Sequence, residues 1–195
     1  MIGNDIVDLK HSAYNWKRPR FLDKVFTKNE QALIFSSENK HETFWLLWSM
    51  KEAAYKIHVQ QFGERFFNPK RLVCELFSDL STEKVEVKGT VNIDNNSYLT
   101  TSTITEDYVY TIATLSASKT KQSSIFKAEI SSHCIQSDVL KRALLKSISK
   151  TQQLPLQDLN IKKTVTGVPE LFCVDSKLLM SFSLTHCGRF FGFVY

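Results

Sequence analysis

Trp48, Glu52 and Lys56 stand at spacing i, i+4, i+8, which puts an acid, a base and an aromatic ring on one stripe of a helix. Left exposed, Glu52 and Lys56 would form an ordinary surface pair contributing about 0.3 to 0.5 kcal/mol. The bulk of Trp45 and Trp48 argues that this face is covered. Lys51 follows the same helix about 100° around the axis from Glu52, close enough to reach a shared ligand from the side. A further acid, Asp5, sits in the apolar run Gly3-Asn-Asp-Ile-Val7. A buried carboxylate is costly unless it bonds backbone amides, pairs with a cation or holds a metal ion, and the segment alone leaves those three open. The last element is Ser183-Leu-Thr-His-Cys-Gly188, where a hydroxyl (Thr185) and an imidazole (His186) precede a glycine turn. His186 has either a structural or a ligand-binding role there, and no Ser/His/Asp set of the hydrolase kind accompanies it. Neither G-x-S-x-G nor a glycine-rich phosphate loop occurs in the sequence.

These residues need a frame. Met1 to Leu9 reads as a strand, Asn15 to Lys24 and Lys28 to Ser36 as short helices, and Glu42 to Phe62 as a long helix ended by Gly63. Arg71 to Phe77, Lys84 to Ile93, Ser97 to Thr105 and Tyr108 to Leu115 alternate and are rich in Val, Thr and Tyr. Asp94-Asn-Asn96 and Glu106-Asp107 supply turns, so an antiparallel meander follows. The polar run Ser116 to Ser124 marks a boundary. Beyond it come a strand at Ser124 to Ile130 and a helix at Asp138 to Gln152 with Asp138 as N-cap. Strands near Leu159 to Thr164, Leu171 to Val174, Leu179 to Leu184 and Phe190 to Tyr195 complete the chain. The expected fold is α+β with two similar, pseudo-duplicated lobes, each a long helix packed on a small antiparallel sheet: 1–116 as the lobe with the Glu52 helix, 117–123 as linker and 124–195 as support.

The length of 195 residues allows a sizeable core, and 43% hydrophobic with 23% charged residues excludes disordered, collagenous and coiled-coil classes. Asp5 and Asp8 stand where a signal peptide would be basic and then apolar, and no window is apolar enough for a membrane span, so the cytoplasm is the expected compartment. Four scattered cysteines form neither a zinc pattern nor a disulfide framework. A net charge of +5 suits an anionic partner. Lys17, Arg18, Arg20, Lys24 and Lys28 could serve nucleic acid, but no nucleic-acid-binding motif accompanies them, and Phe21 and Phe26 read as helix core.

Taken together, Gly3-Asn-Asp-Ile-Val7, Trp48-Ser-Met-Lys-Glu-Ala-Ala-Tyr-Lys56 and Ser183-Leu-Thr-His186 with Gly188 resemble the signature motifs of the 4′-phosphopantetheinyl transferases. The middle motif is the specific one. The motif order resembles that of compact holo-acyl-carrier-protein synthases, with Asp5 first and His186 last, yet the chain looks long enough for both lobes of the surfactin-synthetase-activating type. That combination reads as a circular permutation. The sequence departs from the two-lobed pattern at Val7, where a second acid is usual, and at Val168 in Gly167-Val-Pro169, where a lysine is usual; Lys162 or Lys163 could substitute for the latter. Asp8 falls on the strand face opposite Asp5 and is not counted as a ligand.

The resemblance implies that Asp5 and Glu52 hold Mg²⁺, that Glu52 and Lys56 are catalytic, and that Lys51, Lys56, Thr185 and His186 contact coenzyme A. It implies transfer of 4′-phosphopantetheine to a serine of an acyl- or peptidyl-carrier protein. The expected partners are that protein and coenzyme A, with no nucleic acid and no membrane, and the expected state is a monomer. An acidic carrier protein is expected to meet the early helices near Arg18, Arg20 and Lys24. The alternative is a non-catalytic module that binds carrier protein or coenzyme A.

Overall fold

The computed structural model describes residues 1–12, 20–66, 68–77, 86–116, 121–128 and 133–195. Lys17, Arg18, the first part of the helix expected from Asn15 and residues 117–120 of the expected linker lie outside the described residues, as do the ends of two expected strands at 84–85 and 129–130. Strand β1 (Ile2–Asp8) is followed by helices α1 (Phe21–Val25), α2 (Lys28–Ser36) and α3 (Lys40–Phe62). Strands β2 (Leu72–Leu76), β3 (Glu86–Ile93), β4 (Asn96–Ile104) and β5 (Tyr108–Thr114) form the meander, and β1 returns beside β5 to give an antiparallel sheet of order β1-β5-β4-β3-β2. Next come β6 (Ser123–Lys127), α4 (His133–Gln152), β7 (Leu159–Lys163), β8 (Pro169–Cys173), β9 (Ser176–Lys177), β10 (Ser183–Cys187) and β11 (Phe190–Val194). They build two three-stranded antiparallel sheets, β10-β11-β6 and β7-β8-β9. The protein is therefore a mixed α+β structure with antiparallel sheets. Among the described residues no helix is long and apolar enough to cross a membrane.

Local chemistry sets the long helix. Asn39 caps α3 by accepting from the Glu42 amide, and Gly63 ends it at φ 71°, a left-handed value that a side chain resists. Phe44, Leu47, Met50, Ala54 and Ile57 pack this helix on Val91, Ile93, Tyr98, Val109 and Ala113 of the large sheet. Leu140, Leu144 and Ile148 of α4 do the same against Leu159, Leu171, Phe191 and Phe193. Gly3 permits β1 to press on α3, since a Cβ there would lie 2.0 Å from the Ala53 carbonyl oxygen.

Several boundaries differ from the sequence expectation, three of them at elements near the site. Helix α4 begins at His133, so Asp138 lies within it and pairs with Lys141 at 3.4 Å instead of capping the helix. The run expected as a strand at Leu179 to Leu184 is irregular up to Phe182, with Leu179 fully exposed, and the strand starts at Ser183. Strand β8 opens two residues early, at Pro169, where a missing amide costs least.

Candidate active site

Asp5 lies on the face of β1 that Gly3 holds against α3, and this brings its carboxylate to the stripe containing Glu52 and Lys56. Its Oδ1 lies 3.6 Å from Lys56 Nζ and accepts a hydrogen bond from Thr185 Oγ1 at 3.2 Å. Lys56 Nζ also donates to Asn4 O at 2.6 Å and Leu184 O at 3.2 Å, joining the helix to β1 and β10 at one point. One turn on, Gln60 Nε2 donates to Ile2 O at 3.0 Å. Burial pushes the Asp5 carboxyl up, against the opposing pull of Lys56 and the Thr185 and Ser49 hydrogen bonds. Glu52 is pushed up to about 7, first by burial and then by the charge of Asp5, with Lys56 offsetting part.

Glu52, Lys56 and Gln60 form one wall of a cleft of about 380 Å³ between α3, α4, β10 and the β7–β8 hairpin, with Asp5 behind Lys56. Arg65, Lys141, Lys163 and His186 line the other walls, so the cavity is cationic except at Glu52. Gly167 shapes its rim: it has φ 79°, and a Cβ there would lie 2.5 Å from an Arg65 guanidinium nitrogen. On the far side of Glu52, Trp48, Tyr55, Phe66, Pro69 and Leu72 enclose an aromatic pocket of about 250 Å³.

The expected site residues divide into two groups. Asp5, Glu52, Lys56 and His186 gather at the cleft or its floor. Lys51 does not join them. Its ammonium is 2% exposed and donates to Glu30 Oε2 (2.9 Å), Leu72 O (2.6 Å), Pro69 O (3.0 Å) and Val25 O (3.2 Å), which leaves it no proton for coenzyme A. Thr185 also differs from expectation. Strand alternation turns Leu184 and His186 to the cleft and Thr185 to β1, where its hydroxyl accepts from the Ile6 amide at 3.1 Å and donates to Asp5. Of the two candidate substitutes for the missing lysine, Lys163 lines the cleft, while Lys162 lies over the Phe172 ring at 4.7 Å. Arg65 and Lys141 had no motif to mark them, because the segment after Gly63 and helix α4 bring them together only through tertiary packing.

Val7 is buried in the apolar core and offers no oxygen, and Asp8 faces the opposite side, held by Arg189. Among the described residues no group of three or more His, Cys, Asp or Glu side chains is placed to hold a metal. Two carboxylates crowded and desolvated with a single lysine nevertheless suit a hard divalent cation, whose remaining ligands are usually water and substrate phosphate. The donor set therefore fits Mg²⁺.

A sequence profile of the 4′-phosphopantetheinyl transferase superfamily matches residues 1–113, a span that includes Asp5, Glu52 and Lys56, and the chain belongs to that superfamily. It is also similar to the holo-[acyl-carrier-protein] synthase of Chlamydia muridarum (strain MoPn / Nigg), with 39% identity over 57 residues, 28% of this chain and 46% of that protein. The chain thus matches about half the length of this curated relative.

Proposed function

We propose that the protein transfers 4′-phosphopantetheine from coenzyme A to a serine of an apo acyl- or peptidyl-carrier protein in a Mg²⁺-dependent reaction. The observation that carries this reading is that Glu52 and Lys56, the latter paired with Asp5 behind it, form one wall of a cleft whose other walls carry Arg65, Lys141, Lys163 and His186. Such a cavity suits a phosphate-rich nucleotide, and the carboxylates supply what the reacting centre needs. Arg65, Lys141, Lys163 and His186 bind the nucleotide phosphates. Asp5 and Glu52 hold Mg²⁺, which when bound neutralises charge on the pyrophosphate oxygens. Glu52, directly or through a water, takes the proton of the serine hydroxyl. The serine oxygen bonds to the β-phosphorus as the bond from that phosphorus to the bridging oxygen breaks, and 3′,5′-ADP leaves with the electron pair. Lys56 works against the burial of Asp5, favouring its charged form, and adds positive charge beside the phosphoryl group.

We read 1–116 and 124–195 as duplicated lobes joined through 117–123, with the permuted motif order described above. The packing of β10 and β11 beside β1 supports it, as the Asn4 amide bond to Ser183 Oγ illustrates. Both cleft walls then come from one chain, which suits a working monomer.

Incubation with coenzyme A, Mg²⁺ and a panel of apo-carrier proteins, read by mass, tests the reading. A carrier that gains a phosphopantetheine group, with 3′,5′-ADP released, is the expected result. Coenzyme A binding with no carrier modified would overturn transfer in favour of a binding module.

A further inference from the structure

Strands β1 and β10 are edge strands of different sheets that run side by side in the same direction with no backbone ladder between them. Side chains close the seam. The Asn4 amide donates to Ser183 Oγ at 3.2 Å and the Ile6 amide to Thr185 Oγ1 at 3.1 Å, so alternate hydroxyls of β10 replace the carbonyls that a paired strand would offer. From α3, Lys56 bonds the carbonyls of Asn4 and Leu184, and Gln60 bonds those of Ile2 and Phe182, at 3.0 and 3.5 Å.

One of these contacts does more than hold the seam. Having accepted from Ile6, the Thr185 hydroxyl gives its single proton to Asp5 Oδ1 at 3.2 Å. Its rotamer is constrained on the other side, because its methyl rests over Gly192, where an added Cβ would come within 3.3 Å of Thr185 Cγ2. Ser183 makes the matching contact with Asn4 but reaches no carboxylate.

We propose that Thr185 is a positioning residue for the cation site: through its hydroxyl, β10 fixes the orientation of the Asp5 carboxylate, so cation affinity depends on the docking of β10 against β1. This rests on the assignment of Asp5 and Glu52 as cation ligands. Partners that orient metal-binding side chains typically change affinity by about 10- to 100-fold when removed.

The test is titration of the full chain with Mn²⁺, followed by electron paramagnetic resonance, without coenzyme A. Thr185→Val should weaken Mn²⁺ binding about tenfold or more, and Thr185→Ser should recover most of it. Ser183→Ala should leave Mn²⁺ affinity unchanged, since it loosens the same seam without touching Asp5. With saturating Mg²⁺, the KM for coenzyme A should be unchanged in Thr185→Val. A Thr185→Val protein with full Mn²⁺ affinity, one whose sole defect is a raised coenzyme A KM, or a Ser183→Ala protein with the same loss would overturn the proposal. A native chain that modifies carrier protein but takes no Mn²⁺ on its own would overturn it too, while leaving the transfer reaction in place. Failure of transfer itself appears separately, as no carrier gaining mass.

Discussion

Helix α3 carries two lysine–carboxylate centres barely more than a turn apart, and they are built to opposite ends. At Lys51 every bond is filled: the ammonium has four oxygen acceptors, and its partner Glu30 also accepts from the amides of Thr27 and Cys74 at 2.8 and 2.9 Å. The centre ties α2, α3 and β2 together. At Lys56 two carboxylates share one lysine, the closest approach to Asp5 is 3.6 Å, and burial raises both acids. A finished ion pair has nothing left to offer a ligand, whereas a crowded and partly satisfied one gains by taking a cation or a phosphate.

The sharpest way to break this contrast is at Glu52. Glu52→Gln should lower transfer by about 10⁴-fold, some 5 kcal/mol of barrier, in a carrier-modification time course. Because Glu52 is strained as an anion by burial and by Asp5, the melting temperature of the variant should stay level or rise. The opposite signature belongs to Lys51→Met, which strands Glu30 as a buried charge and should cost about 4 kcal/mol in denaturant unfolding. Adding Glu30→Gln to it should recover part of that loss. Equal stability of Lys51→Met and the native chain would show that the two centres do not differ as described.

The sequence made one half of this contrast legible. The i, i+4, i+8 stripe placed Glu52 and Lys56 on one helix face, because helical periodicity projects directly into space, while the addition of Asp5 to them came from the motif resemblance. Nothing local marked Lys51 as interior, since three of its acceptors are the carbonyls of Val25, Pro69 and Leu72, and carbonyls carry no sequence signal. Thr185 reads as a ligand contact from the motif resemblance alone; strand alternation gives it and His186 opposite faces, but which face meets β1 depends on the packing of β10, which no local residue announces.

A third variant tests the far face of β1. Asp8 is faced by Arg189 Nε and a second guanidinium nitrogen, each at 2.8 Å, and by the amides of Lys10, His11 and Arg189. Beyond these lie Asp107, with its own partners Lys10 and Lys127, and the Cys187 thiol. Although burial works to raise it, these bonds hold the Asp8 carboxyl well below the usual range. A carboxyl lowered in the folded state stabilises fully above its unfolded value of 3.8 and loses that contribution as pH falls below it. Asp8→Asn should therefore cost about 2 kcal/mol at neutral pH, with a smaller deficit in melts below about pH 3. A deficit independent of pH would remove Arg189 from the account.

The smallest expected effect is at Gln60, which bonds both carbonyl rows without touching a carboxylate. Gln60→Ala should cost about 1 kcal/mol of stability and leave Mn²⁺ affinity within about twofold, so a large loss of Mn²⁺ binding would extend the positioning role beyond Thr185.

The seam between β1 and β10 joins residues 179 and 180 positions apart. Contacts of such separation close only after the intervening chain has surrendered most of its freedom, so they assemble late in folding. Helix α3 and the meander can form from nearby partners, but Asp5 meets Thr185 and Lys56 meets Leu184 only when the polypeptide's two most distant stretches have found each other. A chain still emerging from the ribosome, with Thr185 not yet made, holds the acids of the cleft without the arrangement that gives them purpose.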